Sequence, residues 1–153
     1  MASVHAARVA VVTGGASGMG WSITEQLAAR GHGVAVLDVN DEAASLAAAQ
    51  LRDAGATALA CAVDVADRTA IDTAFDAVRK ELGPIEILVT SAAINRFDAF
   101  TDITLDAWER VLAVNLTGTF HCLQAAIPDM LGRGWGRIVT ITSSAAQIAT
   151  PMA

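Results

Sequence analysis

The 153-residue sequence contains no tyrosine, and its only lysine is Lys80. It therefore has no phenol and only one side-chain amine that could act as a general acid or base. Long apolar runs are also lacking, because no stretch approaches the roughly 18 residues of a membrane span. The first residues have no basic segment followed by an apolar one, as a signal peptide would. We expect an intracellular, cytoplasmic protein with no membrane contact.

Basic residues are outnumbered, since ten Lys and Arg stand against sixteen Asp and Glu, for a net charge of -6. Nucleic acids and anionic membranes need a basic surface, so neither is expected as a partner. Cysteine occurs only as Cys61 and Cys122, which fall in a predicted strand and a predicted helix. This placement indicates two packed thiols and no disulfide. The three histidines are scattered without metal-binding spacing, so no metal site is expected.

Short β-rich runs alternate with helical patterns along the chain, with no linker or repeat, and 54% of the residues are hydrophobic. This pattern predicts one α/β domain. The predicted strands are Val9–Thr13, Gly33–Asp38, Thr57–Val63, Ile85–Thr90 and Ile138–Thr142, and the predicted helices lie near Met19–Arg30, Asp41–Ala54, Asp67–Leu82 and Thr104–Leu131. Right-handed crossovers would arrange the strands as a doubly wound, Rossmann-type parallel sheet of order 3-2-1-4-5. A ligand is then expected at the carboxyl ends, between strands 1 and 4.

Two predicted helices carry apolar residues at helical spacing. In the third helix the stripe follows Asp67, a candidate N-cap, and contains Ile71, Ala74, Phe75, Val78 and Leu82. In the fourth it contains Leu105, Trp108, Leu112, Asn115, Thr119 and Leu123, so an amide interrupts an apolar face. Gly118 follows within one turn, at a cost to the helix of about 1 kcal/mol. Asn115 is therefore either functional or a buried amide satisfied by neighbouring backbone.

A glycine-rich turn follows the first predicted strand and leads directly into a helix: Thr13-Gly14-Gly15-Ala16-Ser17-Gly18-Met19-Gly20. A diphosphate at a helix N-terminus needs free backbone N–H groups and no Cβ in the way, and glycines supply both. The spacing of Gly14, Gly18 and Gly20 differs from G-x-G-x-x-G, and a glycine cluster alone is also typical of a tight turn. Its position after strand 1 favours a dinucleotide site.

Asp38 ends the second predicted strand, eighteen residues after Gly20. A carboxylate at this place can accept hydrogen bonds from both adenosine ribose hydroxyls and would repel a 2′-phosphate. The alternative is that Asp38 or Asp41 caps the next helix, a role for which Asp41 is better placed. No Arg or Lys lies in the glycine turn or directly after Asp38. The sequence therefore favours NAD over NADP.

The glycine turn and three further motifs closely resemble the short-chain dehydrogenase/reductase family. These motifs are Asp64-Val65, Asn115 in Val114-Asn115-Leu116-Thr117-Gly118, and Ser143 in Ile141-Thr142-Ser143-Ser144. The resemblance implies an NAD(H)-dependent oxidoreductase that interconverts a secondary alcohol and a ketone. It implies cofactor contacts from Gly14, Ser17, Gly18, Met19, Gly20, Asp38, Asp64, Val65 and Ala92. Ser143 would hydrogen-bond the substrate oxygen, and Asn115 would support a proton relay. Otherwise Asp64 is a helix-start acid and Ser143 a loop residue.

The sequence departs from the family pattern in two places. The family usually has Asn-Asn-Ala-Gly where this chain has Thr90-Ser91-Ala92-Ala93. The Cβ of Ala93, in place of the family's glycine, narrows backbone access next to the cofactor. Thr90 is a shorter hydrogen-bonding group than the asparagine it replaces. The tyrosine and lysine of the family's active site would come after Ala153. The resemblance thus implies that residues 1–153 are an NAD-binding domain incomplete at its C-terminus and truncated after strand 5. A non-catalytic dinucleotide-binding module is the alternative, and the full-length form is expected to be a homo-oligomer.

Overall fold

The computed structural model describes residues 7–143. Five parallel strands form one sheet in the order β3-β2-β1-β4-β5, which confirms the predicted fold and strand order. The strands are β1 (Val9–Thr13), β2 (Gly33–Asp38), β3 (Ala58–Ala62), β4 (Ile85–Thr90) and β5 (Arg137–Thr140). The helices are α1 (Gly18–Ala29), α2 (Asp41–Asp53), α3 (Arg68–Glu81), α4 (Leu105–Leu112) and α5 (Gly118–Arg133). The predicted ends are wrong by one residue in several elements and by two at the ends of β5 and α5.

Helices cover both faces of the sheet, and β1 lies at its centre with every residue buried. Val11 packs into the layer formed with α3 and α5, whereas Val12 packs into the opposite layer with α1 and α2. A strand buried on both faces needs apolar side chains at successive positions, which explains the uninterrupted apolar sequence of β1. The predicted stripe of α3 is confirmed by the buried residues Ile71, Ala74, Phe75 and Val78.

Side chains cap the beginnings of three helices. The Asp67 carboxylate accepts hydrogen bonds from two backbone N–H groups of α3, and the Thr104 hydroxyl accepts one at the start of α4. The predicted cap of α2 is wrong: Asp41 is its first residue, and the cap is Asn40, whose side chain accepts from the Ala43 N–H at 3.1 Å. The N-cap Ser17 of α1 makes no such side-chain bond. Of these helices, α1 thus begins without side-chain satisfaction of its free N–H groups.

The fourth predicted helix is interrupted by a π turn over Ala113–Thr117, which contains Asn115 and joins α4 to α5. The apolar stripe predicted for this helix is not its buried face, because Leu105 and Trp108 are 66% and 54% exposed and Asn115 is also exposed. The buried face consists mostly of small residues: Ala107, Val114, Gly118, Cys122, Ala125, Ala126 and Met130. Gly118 lies so close to the loop after β3 that a Cβ would stand 2.6 Å from a methyl carbon of Val65. Close packing against this loop therefore explains why a glycine stands at position 118 in spite of its cost to the helix.

Two buried threonines, paired in register at the ends of β1 and β4, provide a matched test of stability. The Thr13 hydroxyl accepts hydrogen bonds from the N–H groups of Ser91 and Ala92, at 3.1 and 3.2 Å. The Thr90 hydroxyl is buried without a hydrogen-bond partner among residues 7–143. We expect Thr13→Val to lower the free energy of unfolding by about 1–3 kcal/mol, and Thr90→Val to leave it unchanged or raise it by about 1 kcal/mol. Urea denaturation measures both, and equal losses would contradict the assignment.

Candidate functional site

A cleft of about 270 Å³ opens at the carboxyl ends of the central strands, where the sheet topology places a ligand. Its lining includes eight of the nine residues predicted to contact the cofactor: Gly14, Ser17, Met19, Gly20, Asp38, Asp64, Val65 and Ala92. Gly18 is not part of the lining but lies in the same turn, at the first position of α1. The residues come from four separate segments of the chain, and the fold brings them to one place.

The glycine turn packs against the chain itself at several positions, among them Gly20 and Gly14. A Cβ on Gly20 would overlap the carbonyl group of Gly14, with its carbonyl carbon 2.8 Å away. A Cβ on Gly14 would stand 2.9 Å from the Cα of Ala92, and Gly14 has a φ of +62°. Packing alone therefore explains these two glycines. By contrast, Gly18 adjoins open space, with no atom within 4 Å of an added Cβ.

The N-terminus of α1 offers hydrogen-bond donors to the cleft. Ser17 provides no side-chain cap, and the first turn contains no acidic residue. Such a helix end carries unsatisfied N–H groups and partial positive charge, which suits an anion such as a phosphate. Ser17 and Met19 line the cleft beside it and are exposed. The turn can therefore hold an anionic group.

Asp38 joins the end of β2 to the glycine turn. One carboxylate oxygen accepts a hydrogen bond from the Ala16 N–H at 3.3 Å, and the other accepts from the Asn40 N–H at 3.1 Å. These bonds orient the carboxylate in the cleft wall, and each oxygen can still accept a further donor. The alternative in which Asp38 caps α2 is wrong, because the cap is Asn40. A sugar with two adjacent hydroxyls is a suitable ligand for this carboxylate.

Asp64 follows β3 and is held by two groups. Its Oδ1 accepts from the Ala66 N–H at 3.0 Å, and its Oδ2 accepts from Nη2 of Arg110 at 2.8 Å. Partial burial raises the pKa of Asp64, but the Ala66 N–H and the Arg110 guanidinium outweigh it and lower the pKa below its ordinary value. The carboxylate is thus ionised at neutral pH. The cap of α3 is Asp67, as predicted, and Asp64 is free of that task.

Asn115 lies outside the cleft lining, although it positions a residue that belongs to it. Its side-chain oxygen accepts from the Ile94 N–H, and its side-chain NH₂ donates to the Ile94 carbonyl, both at 2.9 Å. Ile94 lines the cleft. The amide is satisfied by neighbouring backbone, as the alternative prediction held, but the residue is exposed and not buried. Single π turns inside α-helices are frequent at functional sites.

Ser143 comes three residues after the end of β5 and is exposed. It is not among the described residues that line the cleft. Its neighbour Ser144 lies outside the described range.

Both Cys61 and Cys122 are free thiols, as predicted, and burial raises the pKa of Cys122 to about 12. In residues 7–143, no group of three or more His, Cys, Asp or Glu side chains could hold a metal ion.

Sequence reasoning missed Arg110 and Ile94, which also line the cleft. Arg110 reaches Asp64 across 46 positions of the chain, and no local pattern marks such a pair. Ile94 lies in an irregular loop, where neither helical nor strand spacing applies. The apolar part of the lining includes Val63 and Val114, both buried.

The family model described as "short chain dehydrogenase" matches residues 8–153, nearly the whole chain. The chain belongs to the short-chain dehydrogenase family. Members of this family bind NAD or NADP on a Rossmann fold and act as oxidoreductases on alcohol- and ketone-type substrates. No helix among the described residues is long and apolar enough to cross a membrane.

Similar members of the family include D-threitol dehydrogenase from Mycolicibacterium smegmatis, 42% identical over 93% of this chain and 55% of that protein. The 2,3-dihydro-2,3-dihydroxybenzoate dehydrogenase of Bacillus subtilis is 34% identical over 92% of this chain and 54% of that protein. Among solved structures, a 7α-hydroxysteroid dehydrogenase complexed with NADH and 7-oxo glycochenodeoxycholic acid has a TM-score of 0.90 at 30% identity, over 95% of this chain and 56% of that one. The chain thus spans about half the length of the relatives it matches.

Proposed function

We propose that this chain is the cofactor-binding portion of an NAD(H)-dependent oxidoreductase that interconverts a secondary alcohol and a ketone. The observation that carries the proposal is the uncapped N-terminus of α1 facing the same cleft as the Asp38 carboxylate. A dinucleotide needs donors for its diphosphate and an acceptor for its ribose hydroxyls, and the two features supply both. Family membership supports the reaction class.

The residues in the cleft fit such a cofactor. The N–H groups at Gly18, Met19 and Gly20, with the Ser17 hydroxyl, would hold the diphosphate. Asp38 would accept the ribose hydroxyls, while Asp64 and Val65 would contact the adenine and Ala92 would lie against the cofactor at the end of β4. When bound, the nicotinamide supplies the hydride acceptor or donor of the reaction.

Two residues outside the cleft lining have proposed roles in the chemistry. Ser143 would donate a hydrogen bond to the substrate oxygen, where negative charge develops during reduction. Asn115 would serve a proton relay, and its bonds to Ile94 fix the loop beside it. The substrate is a small alcohol or ketone, and no feature of residues 7–143 defines it further.

We also propose that the complete protein is a homo-oligomer in the cytoplasm. The outer face of α4, the π turn and α5 carries large exposed apolar side chains, among them Trp108, Leu116 and Phe120. Contiguous exposed apolar surface is typical of a protein interface. The free thiols Cys61 and Cys122 support a reducing compartment.

A non-catalytic dinucleotide-binding module is the second candidate. The chain has no tyrosine, and its one lysine, Lys80, is exposed near the end of α3. This helix runs from the carboxyl ends of the strands, where the cleft lies, to their amino ends. A chain of this composition can hold a dinucleotide without a tuned acid to complete the reaction.

Cofactor preference tests the role of Asp38. We expect NAD to bind at least about 10-fold more tightly than NADP, because the 2′-phosphate would meet the Asp38 carboxylate in a partly screened site at a cost of about 1.4 kcal/mol or more. Asp38→Ala should weaken NAD and reduce the difference. Asp41→Ala, an exposed acid at the start of α2, is the control and should change neither affinity. Equal affinities of the unmodified chain for both cofactors, measured by calorimetry, would refute the assignment.

A further inference from the structure

His121 lies in the first turn of α5 and reaches back to the loop after β3. Its imidazole is partly buried, and Nδ1 lies 3.2 Å from the carbonyl oxygen of Val65, 56 positions earlier in the chain. A carbonyl oxygen only accepts hydrogen bonds, so Nδ1 is the donor in this contact and carries the proton. Within residues 7–143 no other group donates to the Val65 carbonyl.

Close packing holds the same loop against α5. Val65 is buried, lines the cleft and lies directly against Gly118, less than one turn before His121. The helix and the loop therefore meet at Val65 in two ways. Packing holds the Val65 side chain, and the imidazole holds its carbonyl group.

A single peptide plane connects His121 to Asp64. The Val65 carbonyl and the Ala66 N–H belong to the same trans peptide group, so they are rigidly coupled and point in opposite directions. The N–H end of this plane donates to Oδ1 of Asp64 at 3.0 Å. Rotation of the plane would break both hydrogen bonds together. The imidazole thus holds in place the donor that orients the Asp64 carboxylate in the cleft wall.

We propose that His121 is a positioning residue that fixes the Val65–Ala66 peptide plane and thereby the binding of the adenosine half of the dinucleotide. It acts through the loop, because His121 is not among the described residues that line the cleft. The inference rests on the proposed function. It adds the reason why the loop after β3 keeps its orientation, which lies in a side chain of α5.

The tautomer of His121 is the first test. The ¹⁵N shifts of the ring nitrogens at about pH 8.5, where imidazoles are normally neutral, distinguish a proton on Nδ1 from one on Nε2. We expect the Nδ1–H tautomer, both without ligand and with NAD bound. The Nε2–H tautomer would overturn the inference, because an unprotonated Nδ1 cannot donate to a carbonyl.

Calorimetric titration with NAD and with AMP, which carries the adenosine half alone, is the second test. His121→Leu should weaken both ligands by the same factor, about 2- to 10-fold, which is the range of one net hydrogen bond. His121→Asn should restore most of the affinity, because the side-chain NH₂ of asparagine can take the place of Nδ1–H and donate to the same carbonyl. A residue that only fills space would not be rescued in this way.

His32→Leu is the matched control. His32 is also partly buried and also bonds the backbone, since its Nδ1 accepts from the Arg8 N–H at 3.2 Å. It comes directly before β2, at the amino end of the sheet and away from the cleft. Its replacement removes a comparable bond and should leave the affinities for NAD and AMP unchanged.

Hydrogen exchange at the Ala66 N–H reports on the peptide plane itself. Exchange at this amide should become faster in His121→Leu and return towards the original rate in His121→Asn, while His32→Leu should not affect it.

The outcomes separate the inference from the function on which it rests. Failure of the unmodified chain to bind either NAD or AMP would refute the proposed function. Binding that is unchanged in His121→Leu would refute only the inference. Equal losses in His121→Leu and His32→Leu would also overturn it, because general destabilisation would then be the cause. A loss for NAD without a loss for AMP would overturn it as well, since the effect would lie outside the adenosine half.

Discussion

Gly20→Ala is expected to unfold at a lower denaturant concentration and to bind NAD at least about 10-fold more weakly. The added Cβ would overlap the carbonyl group of Gly14, and backbone cannot rotate away as a flexible side chain can. The first turn of α1 must therefore move, at a cost near the upper end of the 1–3 kcal/mol typical of overpacking, about 3 kcal/mol. This movement displaces the N–H groups proposed to hold the diphosphate.

Gly132→Ala is the matched control for this change. Gly132 lies in α5 with no atom within 4 Å of an added Cβ, so alanine there should be neutral or should stabilise the helix by up to about 1 kcal/mol. Urea denaturation gives the stability of both variants, and calorimetry gives their affinity for NAD. Unchanged affinity in Gly20→Ala would mean that the glycine turn does not hold the cofactor.

The 153-residue chain is expected to bind NAD without measurable turnover. In the roles proposed for them, Ser143 and Asn115 would orient a carbonyl, but neither side chain exchanges a proton with an alkoxide near pH 7, and the chain has no phenol. Loss of general acid–base catalysis alone reduces rates about 10²- to 10⁴-fold. Loss of substrate orientation can raise the barrier by several kcal/mol more. The two losses together bring the rate to background.

NADH absorbance, followed with a panel of secondary alcohols and ketones, measures this turnover. Calorimetric binding of NAD by the same preparation establishes that the protein is folded and loaded. The control reaction contains the Asp38→Ala variant, which should give the same background rate. Turnover above this background that disappears in Asp38→Ala would contradict the expectation and would require an acid other than tyrosine.

The architecture was predictable because each strand of the sheet is a short apolar run bounded by turn residues. Burial on both faces makes β1 and β2 continuous apolar segments, and the rule of right-handed crossovers then leaves one natural order. The helix that follows Asp67 was equally clear, since one N-cap and one apolar stripe agree. Most of the residues that line the cleft could then be predicted, because the carboxyl ends of neighbouring parallel strands lie side by side at one end of the sheet.

The inward face of α4 and α5 was not predictable from spacing. The helix carries two stripes, and the larger side chains, such as Leu105 and Trp108, lie on the exposed one. The side that packs on the sheet and on the loop after β3 needs close approach, so small residues such as Ala126 and Gly118 lie on it. A prediction from hydrophobicity alone chooses the stripe with the bulkier side chains as the buried face, whereas the stripe that is buried in the structure is the one that allows close packing. The π turn at Asn115 adds a further change of phase that no sequence period signals.

The central position of β1 has a consequence during synthesis. β1 pairs with β2 on one side and with β4 on the other, yet β4 ends at Thr90, well after β3 ends at Ala62. When the first three strands have left the ribosome, one side of β1 is still an open edge of unpaired N–H and C=O groups. At about 5–20 residues per second, the intervening segment takes a few seconds to translate. During those seconds the nascent chain should be a substrate for chaperones that bind extended apolar segments, with β1 the segment they protect.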